Sequence, residues 1–244
     1  MWTVWPESYR RLWTGRVTWS YRPFAVGRTQ ELLYLIRHIK EERLVTGHDS
    51  FEVYVDSPLA VEATHVFKDN MLECYDEETK ALVNVESNPI DFPGLKLSIT
   101  SEESKNINFD MTPKVIISAA GMCDAGRIRH HLKHNLWRPE CSVVFAGYQA
   151  GGTLGRILQD GAQTVKIFGE EIDVRAHIET MDGISGHADR DGLISWISAF
   201  EKKKPAYVFV VHGSEESCVS FSDVLNTQLK LTARAPFQVP SLTL

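Results

Sequence analysis

Apolar residues recur along this chain with two periods, and stretches of the two kinds alternate. Leu32, Leu33, Leu35, Ile36 and Ile39 return at helical spacing and predict a helix from Gln30 to about Glu42. Phe51 to Val55 is a short apolar run that predicts a strand. It ends in Asp56-Ser57-Pro58, and Pro58 opens a second helix carrying Leu59, Val61, Ala63, Val66 and Phe67. Asp76 to Val85 predicts a helix, Leu95 to Thr100 a short strand and Ser101 to Asn106 a polar helical turn. Lys114 to Ala119 and Ser142 to Ala146 predict buried strands. Each runs through a glycine-bearing loop into a helix, Arg127 to about Leu136 and Leu154 to Gln159. Val165 to Phe168 and Ile172 to Ala176 alternate as a hairpin about Gly169-Glu170, and Glu215 to Leu229 predicts a last helix. Strands interleaved with helices in this way predict an α/β fold with a parallel-type sheet flanked by helices.

The stretch from Ile184 to Gly213 carries a histidine beside a glycine at each end, Gly186-His187 and His212-Gly213. Asp189 suits a helix N-cap, and Leu193, Ile194, Trp196, Ile197 and Phe200 follow at helical spacing. That helix runs about 18 Å outward. Pro205 stops it, and Ala206 to Val211 reads as a buried strand returning about 20 Å. The near-equal lengths allow His187 and His212 to converge, as a metal or acid–base site requires. Two unrelated loop histidines fit the same residues, and the spacing leaves both readings open.

Three further places carry candidate chemistry. Asp56 falls at the C-terminal end of a strand beside a helix start, where parallel sheets bind ligands, although a carboxylate there also serves as a helix cap. The loops after Ala119 and Ala146 each offer a glycine-bearing turn and a helix N-terminus, a form suited to an anion. Their candidate phosphate contacts are Ser118, Gly121, Met122 and Arg127 in the first, and Gly151, Gly152 and Thr153 in the second. Two adjacent cradles suit a polyanion; glycine at a tight turn also serves plain geometry. The helix between them is basic, with Arg127, Arg129, His130, His131, Lys133, His134 and Arg138. His130 and His134 lie four apart, but no acidic or cysteine partner is spaced to complete a metal site with them.

Composition bounds the rest. The chain has 244 residues, 43% of them hydrophobic and 24% charged, which is ordinary for a globular protein able to bury a core. No apolar run is long enough to span a bilayer, and no signal peptide is read, so no membrane role and a cytoplasmic location are expected. Cys74, Cys123, Cys141 and Cys218 are scattered without a CxxC, which suits a reducing compartment. A net charge of −6 argues against a general nucleic-acid coat but not against a local basic groove. Residues 1–22 differ from the remainder. Trp2, Trp5, Trp13 and Trp19 crowd there with Arg10, Arg11, Arg16 and Arg22, and the apolar positions follow neither a helical nor a strand period.

The segments PFAVGRTQELL, VYVDSPLA, SAAGMCDAGRIRHHLKHNL, GYQAGGTLGR, ISGHADRDGL and VVHG, in this order across about residues 23–230, resemble the β-CASP ribonucleases of the metallo-β-lactamase superfamily. The resemblance implies an α/β β-CASP domain over 23–160, a metallo-β-lactamase RNA-specificity segment over 161–235, the C-terminal part of that αβ/βα fold, and a tail over 236–244. It implies RNA as the partner and phosphodiester hydrolysis as the reaction. Asp56 matches the family's motif A acid, which orients His187, the motif B histidine acting at the scissile phosphate or leaving group. His212 matches the motif C histidine, a zinc ligand, and the Ser-Ala-Ala-Gly-Met loop implies a contact with the RNA backbone.

The departure from the pattern bears on activity. The family holds two Zn2+ ions through an HxHxDH motif that precedes the β-CASP insertion, and no HxHxDH occurs in this sequence. A catalytic zinc needs three protein ligands and an open position, and His212 alone is assignable. The expectation is the C-terminal part of a zinc-dependent ribonuclease, inactive alone, which requires the missing N-terminal metallo-β-lactamase half or an equivalent chain. A non-catalytic RNA-binding module and a partner subunit of a separate metallo-β-lactamase chain are the alternatives. Without that half a sheet face would be bare, which favours poor solubility or self-association. Residues 1–22 suggest an origin. Back-translated and read from the third base of each codon, Trp13 to Pro23 permits Asp-Arg-Ala-Gly-Asn-Leu-Val-Ile-Pro-Ser, close to the strand the family carries there. Residues 1–22 then read as out-of-frame translation. Sequencing of the locus is expected to reveal a second frame joining near Pro23 with HxHxDH upstream; a single intact frame across Pro23 would remove the idea.

Overall fold

The computed structural model describes residues 18–22, 26–45, 50–83, 88–181, 188–200 and 204–236. The chain divides into two compact units, Met1–Ile184 and Ser185–Leu244. The first is built on a six-stranded sheet in the order β3-β2-β4-β1-β5-β8, with every neighbouring pair parallel. Its strands are β1 (Thr18–Arg22), β2 (Glu52–Val55), β3 (Leu95–Leu97), β4 (Lys114–Ile117), β5 (Ser142–Phe145) and β8 (His177–Thr180). Between them run α1 (Arg28–Glu41), α2 (Pro58–Asp69), α3 (Met71–Cys74), α4 (Glu77–Val83), α5 (Ser101–Phe109), α6 (Ile128–Asn135) and α7 (Leu154–Gln159). An antiparallel hairpin of β6 (Thr164–Ile167) and β7 (Glu170–Asp173) follows α7.

The fully buried strands β4 and β5 are apolar at every position after the first, as expected of a parallel sheet covered on both faces. Val115, Ile117 and Val144 join Leu32, Leu33, Ile36, Ala60 and Val61 of α1 and α2 in one cluster. Val143 and Phe145 point the other way, into a cluster with Ile128, Leu132 and Leu136 about α6, Leu158 of α7, and Val165 and Ile167 of the hairpin. The result is a helix–sheet–helix sandwich. Lys114, 1% exposed at the start of β4, is tolerated because its ammonium donates to the carbonyls of Ile107 and Asp110 and pairs with the Asp110 carboxylate.

Several elements depart from the sequence reading. Residues 18–22, for which no strand was expected, form the central strand β1, with Trp19 in register with Val115 on one side and Ser142 on the other. The stretch mixes β-favouring aromatics with polar residues, so pairing on both edges, and not an apolar period, defines it. The expected helical turn at Ser101 is a nine-residue helix, because Thr100 and Glu103 form a capping box. The sheet of the first unit runs on past residue 160, with β8 pairing with β5 as an edge strand. The hairpin turns at Phe168-Gly169, where both residues have positive φ.

The second unit holds α8 (Arg190–Ser198), β9 (Val208–Phe209), α9 (Glu215–Gln228) and β10 (Ala233–Arg234), with β9 and β10 paired in parallel. Asp189 caps α8, its carboxylate accepting from the Gly192 amide at 2.8 Å. The predicted buried six-residue strand is corrected: only Val208 and Phe209 pair, and Phe209 and Val211 are exposed. The core here is small, Ile197, Leu225 and Ala233 with half-buried neighbours, and two-stranded pairing cannot cover both faces. His187 lies outside the described residues, so its convergence with His212 is not described. Trp196, Phe200, Tyr207, Phe209 and Val211 leave large apolar surfaces in water. We expect the chain to self-associate and to bind a hydrophobic dye, and Trp196→Lys with Val211→Lys to reduce both. Analytical ultracentrifugation with a dye titration checks this, and a monodisperse monomer indifferent to the dye would contradict it.

Candidate nucleic-acid interface

The C-terminal ends of β2, β4 and β5 lie along one edge of the sheet, so Asp56 and the loops 118–127 and 146–153 issue from the same side. Asp56 is fully buried. Its backbone is tied to the neighbouring strand: its amide donates to the Ile117 carbonyl at 2.8 Å, and its carbonyl accepts from the Ser118 hydroxyl at 3.1 Å. Its carboxylate is enclosed by three donors from different elements. Arg127 Nη1 donates to Oδ1 at 2.7 Å, while Ser104 Oγ and His131 Nε2 reach Oδ2 at 2.6 Å each. Ser57, not Asp56, caps α2, its hydroxyl accepting from the Ala60 amide.

The donors are themselves held. Arg127 also donates to the carbonyls of Ser98 at 3.2 Å and Ile99 at 2.5 Å, beyond the end of β3. His131 is fully buried, and its Nδ1 meets Asn108 Oδ1 at 2.8 Å. The Asn108 amide is oriented by its own donation to the Ser104 carbonyl, so both ring nitrogens of His131 face oxygen acceptors. Burial pushes the Asp56 carboxyl up, but the hydrogen bonds from His131 and Ser104 and the charge of His131 outweigh it. They hold the group at about 2, below its ordinary range.

The two loops are joined to each other. The Met122 carbonyl accepts from the Gly155 amide at 3.2 Å, Met122 Sδ meets the Ala150 amide at 3.2 Å, and the Asp124 carboxylate accepts from the Leu154 amide at 3.0 Å. Thr153 caps α7, its hydroxyl accepting from the Arg156 amide and donating to the Ala150 carbonyl. The first-turn amides of α7 are therefore satisfied within the chain. The second cradle, read from the sequence as a helix N-terminus open to an anion, is closed in that respect by Asp124 and Met122. Gly121, Gly151 and Gly152 are exposed, and φ of +81° at Gly152 requires glycine. Ser118 is buried beneath Asp56. His212 is exposed with φ of +69°, just before the Ser214 cap of α9.

The sequence reading missed His131 and Ser104 as partners of Asp56. The signal was present: His131 shares a helical face with Ile128, Leu132 and Asn135, all buried. Among the described residues no three His, Cys, Asp or Glu side chains come together in a way that could hold a metal ion.

This arrangement defines a doubly wound α/β protein with an enclosed carboxylate and two joined glycine-bearing loops on the ligand side of its sheet. The comparisons with known proteins are specific. The Beta-Casp domain profile matches residues 29–158, and the profile of the Zn-dependent metallo-hydrolase RNA specificity domain matches 171–236. Ribonuclease TTHA0252 of Thermus thermophilus is 35% identical over 83% of this chain and 44% of its own length. Transcription termination factor FttA of Thermococcus kodakarensis is 30% identical over 90% of this chain and 34% of its own. An RNase J-like protein of Methanocaldococcus jannaschii is 29% identical over 87% of this chain and 47% of its own. The chain thus spans less than half the length of these relatives. It belongs to the β-CASP family of the metallo-β-lactamase superfamily, a family of RNA-processing nucleases in which zinc is the metal.

Asp56→Asn is expected to destabilise the first unit by about 3 kcal/mol at pH 7, because it leaves Arg127 facing a neutral group in a buried site. Since the folded-state carboxyl lies below its ordinary value, its ionic contribution is present above about pH 4 and is lost as pH falls towards 2. That part is on the order of 1–2 kcal/mol. Urea titrations of both proteins should therefore converge as pH falls through this window. A gap that stays constant would contradict the assignment.

Proposed function

We propose that this chain supplies the RNA-holding part of a metal-dependent RNA phosphodiester hydrolase. The observation that carries the reading is the shared sheet edge, where the exposed loops about Gly121, Gly151 and Gly152 adjoin a basic helix. The amides of these glycines make no hydrogen bond among the described residues, and they suit phosphate oxygens. Ser118, Arg127 and Thr153 contribute differently. Their polar groups are committed to Asp56 and to the loop itself, so they shape the surface on which Gly121, Met122, Gly151 and Gly152 would meet the RNA. Asp56 is then a positioning residue that locks α5 and α6 to the sheet. By family role, His187 would act at the scissile phosphate and His212 would be a zinc ligand.

The donors described do not fit a catalytic zinc. Three protein ligands are needed, and His212 has no second and third beside it among the described residues. No hydrolytic step is derived for this chain by itself. We infer that it is inactive alone and that its chemistry requires a chain or segment bearing the remaining ligands. The RNA-specificity profile over 171–236 supports RNA as the ligand. A single-stranded RNA titration by fluorescence anisotropy, zinc analysis and a cleavage assay test the reading together. We expect salt-dependent RNA binding, sub-stoichiometric zinc and no cleavage. Chelator-sensitive cleavage by the purified chain would overturn it. Cleavage arising only on adding a metallo-β-lactamase partner supports the subunit form of the reading, whereas RNA binding unaffected by any such partner supports a non-catalytic module.

A further inference from the structure

Between α5 and α6 lies a cleft of about 340 Å³, lined by Ser101, Ser104, Lys105, Asn108, Phe109, Arg127, His130 and His134. One face of each helix supplies it. Positions 101, 104, 105 and 108 share a stripe on α5, and positions 127, 130 and 134 share one at the start of and along α6. No carboxylate is among these side chains. Four of the carboxylates nearby are engaged elsewhere, and Glu102, exposed on α5, is not among the lining residues. Asp56 is enclosed below by Arg127, Ser104 and His131; Glu103 accepts from the amides of Ile99 and Thr100; Asp110 pairs with Lys114; and Glu170 pairs with Lys133. The charges acting on His130 come from His131, Arg129, Lys133 and Lys105, and those on His134 from Lys133, His131 and His130. Lys105 and the ring nitrogens of His130 and His134 make no hydrogen bond or ion pair among the described residues.

Two imidazoles with no third ligand among the described residues, beside the Lys105 ammonium, do not suit a cation. They suit an anion held by Lys105, His130 and His134, with the Ser101 hydroxyl beside them. At the rim stands Phe109, 72% exposed, with its ring 6.1 Å from that of His134 in an edge-on arrangement. An exposed aromatic ring beside a basic groove is the usual platform for an unpaired base. We propose that the α5–α6 cleft is a second RNA contact, taking one phosphodiester group of a single strand on Lys105, His130 and His134 with the adjoining base against Phe109. This rests on the RNA reading above and extends it to a surface separate from the loops about Gly121 and Gly151.

The site has a predictable pH response. Partial burial, and then the surrounding cations, hold both imidazoles below their ordinary range, so near neutral pH the rings are mostly uncharged. A phosphodiester keeps one negative charge throughout, so it binds more tightly as the rings take protons below pH 7, and binding raises both imidazole pKa values. The test uses the full chain with two probes, labelled hexauridylate and inorganic sulfate, and follows the histidine ring protons by NMR. We expect both probes to move the His130 and His134 resonances and hexauridylate to bind more tightly at pH 5.5 than at pH 7.5. At pH 5.5, Lys105→Gln and the His130→Gln/His134→Gln pair should each weaken hexauridylate about tenfold and lower its salt slope, by roughly 0.7 per charge removed, whereas at pH 7.5 the lysine change alone should lower the slope. Phe109→Ala should weaken hexauridylate and leave sulfate unchanged. Hexauridylate binding that ignores all these substitutions overturns the cleft while leaving the RNA reading standing. Sulfate shifts at both histidines without any hexauridylate binding overturn the RNA assignment of both surfaces. Ring resonances unmoved by either probe overturn the cleft as an anion site, whatever the variants do to folding.

Discussion

Enclosing one carboxylate at the end of β2 constrains everything on the ligand side of this sheet. An ionised group in an apolar interior is costly unless each oxygen is matched by a donor. Asp56 obtains its donors from Ser104 on α5, His131 on α6 and Arg127 in the loop between β4 and α6, while Arg127 also holds the chain beyond β3. Two segments far from Asp56 in sequence, 98–104 and 127–131, are thereby fixed to one point. Neither can shift without exposing a buried charge, so the helices bordering the cleft and the loop bearing Gly121 inherit the precision of the network.

The joined loops show the same logic on a smaller scale. Two glycine-bearing turns of similar sequence would be expected to do similar work, yet they do not. The α7 start is closed by Asp124 and Met122, which makes the second loop a support for the first. What remains open are backbone amides at exposed glycines, one of which, Gly152, has a φ at which a side chain would cost conformational strain. Exposure at this edge is selective: side-chain groups turn inward and hold geometry, and main-chain groups turn outward.

Legibility in the sequence followed the same divide between local and long-range causes. The α/β order, the run of buried strands at β4 and β5, the Pro58 start of α2 and the Asp189 cap were readable, because periodicity, capping and proline act within a few residues. Asp56 was readable as a strand-end acid. Its partners were not, since Ser104 and His131 lie 48 and 75 positions away, and the apolar helical face of His131 reports its burial but not what it meets. His131 was hidden by its neighbours: three histidines in one basic helix suggested a solvated surface, whereas only the middle one falls on the apolar face. The strand at 18–22 was missed because its pattern is not apolar, and the strand at 206–211 was overcalled because its apolar residues are not matched by a sheet to bury them.

The enclosed carboxylate also sets the character of the surface above it. Asp56 draws on Arg127 and His131 from beneath the α5–α6 cleft, so its charge is spent inside the fold, as those of Asp110 and Glu170 are spent on Lys114 and Lys133. Lys105, His130 and His134 are exposed, with no acid lining the cleft beside them. Clefts of one sign with low-dielectric walls concentrate counter-ions well beyond what net charge suggests. A chain of net charge −6 can in this way present a locally cationic face, through Lys105 near neutral pH and through both imidazoles as well once they take protons. The polarity of that face follows from how the interior is satisfied, since an outward-facing acid on α5 or α6 at these positions would cancel it, and the only buried acid there is the one the fold cannot do without.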